Sequence, residues 1–196
     1  MKFRLSVIIS VLALIAVAAL AGRHYWTMVQ GDRQEAAIGG PFTLINSEGE
    51  TVTDADFRGK IMLVYFGYTY CPDVCPTSLT AVAEALDMLG EDAKEFAPIF
   101  ITVDPERDTP EAMGDYAAAF HPQLVGLTGT VEQVAAAAKA YRVYFAKVQE
   151  EGDDPEDYLM DHSAYIYVMD RDGKYVAHFP HGTDPGEMAK KLLELL

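Results

Sequence analysis

Cys71 and Cys75 are the only cysteines in the chain, and they stand four positions apart in the segment 65–77, YFGYTYCPDVCPT. A thiolate is both a nucleophile and a soft metal ligand. A pair this close can form a disulfide, exchange one with a partner, or hold a metal ion. A bridge closing so short a loop constrains the unfolded chain little, which argues against a purely structural disulfide. The intervening Pro72, Asp73 and Val74 do not forbid a disulfide, and they let both sulfurs converge on one ion from a turn. Two thiolates suit a linear monovalent ion, and a third ligand makes a trigonal site. Soft sulfur selects copper(I), while imidazole suits copper and zinc alike. Structural zinc wants a fourth protein ligand, for which Asp73, Met160 and Asp161 are candidates. The third ligand is to be sought among five histidines. His24 follows the apolar N-terminus, His121 precedes Pro122, His178 and His181 flank Phe179-Pro180, and His162 follows an acidic stretch. Spacing alone does not choose among them.

The elements around the pair must position it. Residues 61–66 are an uninterrupted apolar run that reads as a buried strand, closed by Gly67. Pro76 is suited to a first helical position, so the spacing predicts a helix from there, with Cys75 at or beside the N-cap. Helix dipole and free N–H groups would favour a thiolate at Cys75. Leu79, Val82, Ala83, Leu86 and Leu89 fall on one helical face, and Gly90 is the stop. Upstream, residues 42–45 and 50–52 flank Asn46-Ser47-Glu48-Gly49 as a hairpin. Downstream, residues 99–103 are a strand, and Thr109-Pro110 caps a helix carrying Met113, Tyr116, Ala117 and Phe120 inward. Residues 124–127 are a strand, and Thr130 with Gln133 boxes a helix through Tyr141. The acidic segment 150–157 reads as a loop. Strands at 164–169 and 174–179 join through Asp170-Arg171-Asp172-Gly173, and Asp184 with Glu187 opens a last helix with Met188, Leu192, Leu195 and Leu196 inward. This alternation predicts an α/β fold, a central sheet with helices on its faces and an N-terminal β-hairpin extension. A cysteine pair between the first core strand and the first core helix resembles the thioredoxin arrangement, except that a thioredoxin has two residues between its cysteines rather than three.

Composition narrows the setting. Of 196 residues half are hydrophobic, enough for a real core, and 30 acidic residues face 15 basic ones. That balance argues against nucleic acid and against docking on anionic lipid. Lys2 and Arg4 precede the uncharged, almost wholly apolar run 5–21. This is a cleaved signal peptide or a retained anchor helix, somewhat short of the roughly 20 residues of a usual span. Ala19-Leu20-Ala21 could be a cleavage site, yet Tyr25 and Trp26 follow as interfacial anchors and favour retention. No cysteine follows the run to carry a lipid. The chain is therefore expected to divide into a transmembrane signal anchor (1–29), a polar tether (30–40) and a thioredoxin-like domain (41–196). Positive charge keeps the N-terminus cytoplasmic. The domain then lies in the periplasm of a bacterial inner membrane, where an oxidising environment leaves a thiol pair dependent on reductant or metal.

Three blocks together resemble the SCO/SenC family: residues 65–77, residues 103–110 (VDPERDTP) and Asp161-His162-Ser163, in that order on a chain with an N-terminal anchor. The resemblance covers roughly Ile38 to the C-terminus. It implies a membrane-tethered, thioredoxin-like copper chaperone for cytochrome c oxidase assembly rather than an enzyme. It also implies Cys71, Cys75 and His162 as the copper site, for both copper(I) and copper(II). The acceptor implied is the dinuclear copper centre of cytochrome c oxidase subunit II, reached by thiolate exchange, with other periplasmic copper chaperones and thiol reductants as further partners. The competing function is a thiol–disulfide oxidoreductase using Cys71 and Cys75 without need of His162. A thiol peroxidase would want a threonine- and proline-rich loop with a supporting arginine, a setting Cys75 lacks, and a copper-dependent redox sensor is a weaker third. Asp73 could tune the thiolates or simply face solvent. Asp104, Arg107 and Asp108 could form part of a docking face or serve as caps and a local ion pair.

Overall fold

The computed structural model describes residues 15–26, 38–149 and 157–196. The chain divides into two units, Met1–Ala37 and Ile38–Leu196. In the first, residues 15–26 form a helix, α1, with its side chains exposed. Among the described residues no helix is long and apolar enough to cross a membrane. The rest of the expected anchor, most of the tether and nearly all of the acidic loop lie outside the described residues.

The second unit is built on a five-stranded sheet. Its strands are β3 (Ile61–Gly67), β4 (Phe96–Thr102), β5 (Val125–Leu127), β8 (Tyr165–Met169) and β9 (Tyr175–Pro180), in the spatial order β5-β4-β3-β8-β9. β3, β4 and β5 run parallel, β8 pairs antiparallel with β3, and β9 with β8. Every residue of β3 and β4 is buried, as befits parallel strands covered on both faces. The helices are α2 (Val74–Leu89), α3 (Pro110–Ala118), α4 (Val131–Ala140) and α5 (Pro185–Leu193). α2 packs against α5, and α3 lies along β5. The predicted inward faces of α2 and α3 are the buried or core-packed ones. Thr109, Thr130 and Asp184 cap their helices through side-chain oxygens as their types predict. Leu196 departs from the prediction and is exposed at the chain end.

The expected N-terminal hairpin is present as β1 (Thr43–Ile45) and β2 (Thr51–Thr53), registered Thr43 to Thr53. Its turn closes because Asn46 Oδ1 accepts from the backbone of Glu48 (3.0 Å) and Glu50 (2.9 Å), with Gly49 at φ +79°. β4 begins at Phe96, three residues before the predicted start at Ile99. Pro98 is tolerated because β4 has only one neighbour there, β5 pairing starting at Ile99. α2 likewise begins at Val74, two residues before Pro76. The opening N–H groups of a helix have no intrahelical acceptor, so a proline costs little anywhere in the first turn.

One element has no counterpart in the sequence reading. β6 (Phe145–Val148) and β7 (Leu159–His162) form a separate antiparallel ribbon, with Phe145 opposite His162. Met160 and Tyr158 bury themselves and attach it to the core.

Candidate metal centre

The cysteine loop leaves the end of β3 and turns directly into α2. Cys71 N donates to Tyr68 O (3.3 Å), and Cys75 N, in the first turn of α2, donates to Cys71 Sγ (3.3 Å). The loop is pinned from below by Asp108, which is fully buried. Its carboxylate accepts from Thr69 N (3.1 Å), Thr69 Oγ1 (2.5 Å) and Thr102 Oγ1 (2.6 Å). Gly67 lets the loop close: a Cβ there would lie 2.6 Å from Cys75 Sγ and 2.9 Å from the Phe100 ring. Cys75 is therefore buried completely, while Cys71 is only half-buried at the rim.

His162 arrives from the other side, on the last residue of β7. Its Nε2 lies 3.3 Å from Cys75 Sγ, and Nδ1 faces Ser163 O at 3.3 Å. A carbonyl only accepts, so Nδ1 carries a hydrogen, and Nε2 is the nitrogen directed at the sulfurs. Tyr65 and Tyr68 meet the imidazole edge-on, at 6.1 and 6.0 Å between ring centroids. The two halves of the site are tied together by the loop after β4. Asp104, 1% exposed, accepts from Arg107 Nε (2.5 Å) and from Tyr158 OH (2.9 Å). The Arg107 guanidinium then lies over the Tyr158 ring (3.6 Å) and the Tyr70 ring (4.6 Å), a cation–π bridge from ribbon to cysteine loop.

The electrostatics separate the two thiols. Cys71 is pulled down to about 3, chiefly by the hydrogen bond from the Cys75 thiol. Burial opposes this, and His162 with the backbone N–H groups of Asp73 and Cys75 assists it. Cys75 is pushed up by giving that hydrogen bond and by burial. The thiolate of the metal-free protein is thus Cys71, not Cys75 as the helix-start argument predicted, because a fully buried sulfur does not hold charge beside a half-exposed one. The Tyr65 phenol is pushed up, chiefly by burial.

Cys71, Cys75 and His162 bring their ligand atoms within 4.8 Å of one another. Two sulfurs and one imidazole at that spacing can close on one soft ion in a trigonal arrangement. Among the described residues this is the one such group of three, and neither Asp73 nor Asp161 joins it. His121 is held by Gln123 N (3.1 Å), His178 by Tyr175 OH (2.6 Å) and His181 by Ser78 Oγ (3.0 Å).

A family profile described as SCO1/SenC matches residues 30–196. The chain belongs to the SCO1/SenC family. Among its relatives, a SCO2-like protein of Rickettsia conorii is 42% identical over 155 residues, 79% of this chain and 75% of that one. Protein SenC of Rhodobacter capsulatus is 50% identical over 135 residues, 69% of this chain and 60% of that one. The copper-bound structure of ScoI from Bradyrhizobium japonicum superposes with a TM-score of 0.75 at 49% identity, covering 82% of this chain and all of that one. The α/β architecture is accordingly the thioredoxin-like one of Sco structures.

Within this SCO1/SenC chain, the alternatives left open for several neighbours can be decided. Asp104, Arg107 and Asp108 are internal fasteners rather than a docking face. Asp73 bears on Cys71 through its backbone N–H, while its carboxylate accepts from Thr77 Oγ1 (3.3 Å). Tyr158 and Tyr65 were missed. Tyr158 follows the acidic stretch, and Tyr65 read as one more apolar residue of a buried strand. The signal available for Tyr65 was position: two residues before Gly67, on the strand face that Cys75 packs against.

Proposed function

We propose that this chain is a copper chaperone that holds one copper ion on Cys71 Sγ, Cys75 Sγ and His162 Nε2 and releases it to the dinuclear copper centre of cytochrome c oxidase subunit II. The observation that carries this reading is the convergence of those three ligand atoms, in a family member half identical to a copper-bound ScoI. Two thiolates satisfy copper(I) and the imidazole extends the site to copper(II). Three protein ligands in a shallow groove between Pro72 and Leu159 leave room for an incoming thiolate, so the ion passes by stepwise ligand exchange. The N-terminal apolar run with Lys2 and Arg4 supports a single-pass anchor in the bacterial inner membrane, N-terminus in the cytoplasm and domain in the periplasm. There the copper supply comes from other periplasmic chaperones, and thiol reductants keep the cysteines open. The test is a titration of the reduced full-length protein with copper(I) and copper(II), followed by mixing with the copper-free soluble domain of subunit II. One ion per chain, then its appearance on the acceptor, is expected. Copper that stays behind removes the chaperone role.

The second reading is a thiol–disulfide oxidoreductase that keeps the cysteines of the oxidase copper site, or of another partner, reduced. It is favoured by one observation: Cys71 is half-exposed and held as a thiolate with a second thiol beside it, the arrangement of an attacking sulfur and its resolving partner. Catalytic turnover of a disulfide substrate by metal-free protein, surviving His162→Ala, would promote it over the chaperone.

A further inference from the structure

The interior beneath the sulfurs holds a hydroxyl with no partner at hydrogen-bond distance. Tyr65 is 1% exposed, and its phenolic oxygen has no hydrogen-bond partner. A dry, unpaired polar group opposes folding, and native proteins keep few of them without a use. The ring cannot swing to find one. It stacks on Phe100 at 6.1 Å and meets the His162 ring edge-on at 6.1 Å. The Ser78 hydroxyl stands beside it and bonds His181 Nδ1 (3.0 Å), but it is not within hydrogen-bond distance of the phenol.

What the hydroxyl does face is the deeper sulfur. Tyr65 and Gly67 point to the same side of β3. A Cβ built on Gly67 would touch Cys75 Sγ at 2.6 Å and Tyr65 Cε1 at 3.3 Å. Sulfur and phenol edge therefore flank one point. A free thiol carries a hydrogen of its own. A metal-bound sulfur has lost that hydrogen and presents lone pairs, and at 0% exposure no water reaches them. A thiolate so placed needs a donor from the protein.

We propose that Tyr65 donates its hydroxyl hydrogen to Cys75 Sγ when that sulfur binds copper, as a positioning residue that tunes the ion through its ligand. The inference rests on the reading that Cys75 is a copper ligand. The hydrogen bond withdraws charge from the sulfur. It favours copper(I), which leaves more negative charge on its thiolates than copper(II) does, and so raises the potential of the bound couple. It also gives the unpaired hydroxyl a charged acceptor in the loaded state, which couples metal binding to stability.

The test compares full-length wild type, Tyr65→Phe and Tyr116→Phe, each titrated with copper(I) and copper(II). Tyr116 is the control: its hydroxyl is also buried and unpaired, but Phe100 stands between it and Tyr65. Unloaded Tyr65→Phe is expected to melt no lower than wild type. Loaded, it should bind copper(I) about tenfold more weakly, gain less in Tm, show its sulfur-to-copper(II) band at longer wavelength, and have a lower copper potential. Tyr116→Phe should match wild type in all four. A Tyr65→Phe protein with wild-type band and affinity at one copper per chain overturns the inference and leaves the copper site standing. So does a lower melting point in the unloaded state, which would mean the hydroxyl already has a partner. Wild-type copper binding by Cys75→Ser overturns the ligand reading itself.

Discussion

The two halves of the site are made of different material. The sulfurs sit where a fully buried strand meets a core helix, on a loop pinned by a buried carboxylate and closed by a glycine that admits no side chain. The imidazole sits at the end of a two-stranded ribbon that belongs to no larger sheet. Four-residue strands joined to the core by Met160 and Tyr158 open at lower free energy than a central parallel strand. The sulfur half is therefore as stable as the fold. The histidine half is a separate piece, held against it by the Asp104–Arg107–Tyr158 clasp. On the proposed chaperone reading, a site that both holds and surrenders an ion gains from having one wall firmer than the other.

Five substitutions or measurements test that contrast. The largest effect belongs to the fixed wall: Cys71→Ser or Cys75→Ser is expected to abolish copper retention on gel filtration. His162→Ala should cost on the order of 100-fold in copper(II) affinity and alter the sulfur-to-copper band, but spare most copper(I) binding, which two thiolates satisfy. Circular dichroism should remain native, since the ribbon lies outside the main sheet. Indistinguishable copper(II) spectra would remove His162 from the site. Gly67→Ala drives a methyl into Cys75 Sγ and Phe100, and should destabilise the metal-free domain by about 1–3 kcal/mol in urea unfolding. Tyr158→Phe unhooks the clasp and should cost about 1 kcal/mol. Its faster amide exchange should be confined to the ribbon, with a few-fold drop in copper(II) affinity as a weak copy of His162→Ala. Uniform loss of protection would mean the ribbon is no separate piece. The smallest expected effect is an absence of slope. Because Cys71 is held well below the thiol range, lowering the pH from about 8 to 5 leaves its thiolate in place. Its alkylation rate should stay nearly flat where a free thiol slows about tenfold per pH unit.

The same contrast explains what could be read from residues alone. β3, the faces of α2 and α3 and the three capped helices were legible because apolar spacing and N-cap types act locally. The ribbon was not. Phe145-Ala146-Lys147-Val148 carries too little alternation to announce a strand, and its partner lies beyond an acidic segment too long for a tight hairpin turn to signal the pairing. His162 could be singled out only by resemblance to a family, since its place beside the sulfurs depends on a pairing that no local pattern encodes. Asp104 and Asp108 looked like surface charges because nothing in their types reveals burial at 1% and 0%. The helix start pointed to a thiolate at Cys75, but the hydrogen bond it gives Cys71, and then its burial, push its thiol up.

Cys71 and His162 line the groove, whereas Cys75 is buried behind them. A visiting ligand meets the outer sulfur and the ring long before it could touch the inner one. On the proposed chaperone reading, departure of the cargo would then have a built-in order, with the buried sulfur as the last tether. An acceptor that failed to complete the exchange would leave the ion still fastened there, so an aborted encounter would end in recapture rather than spillage.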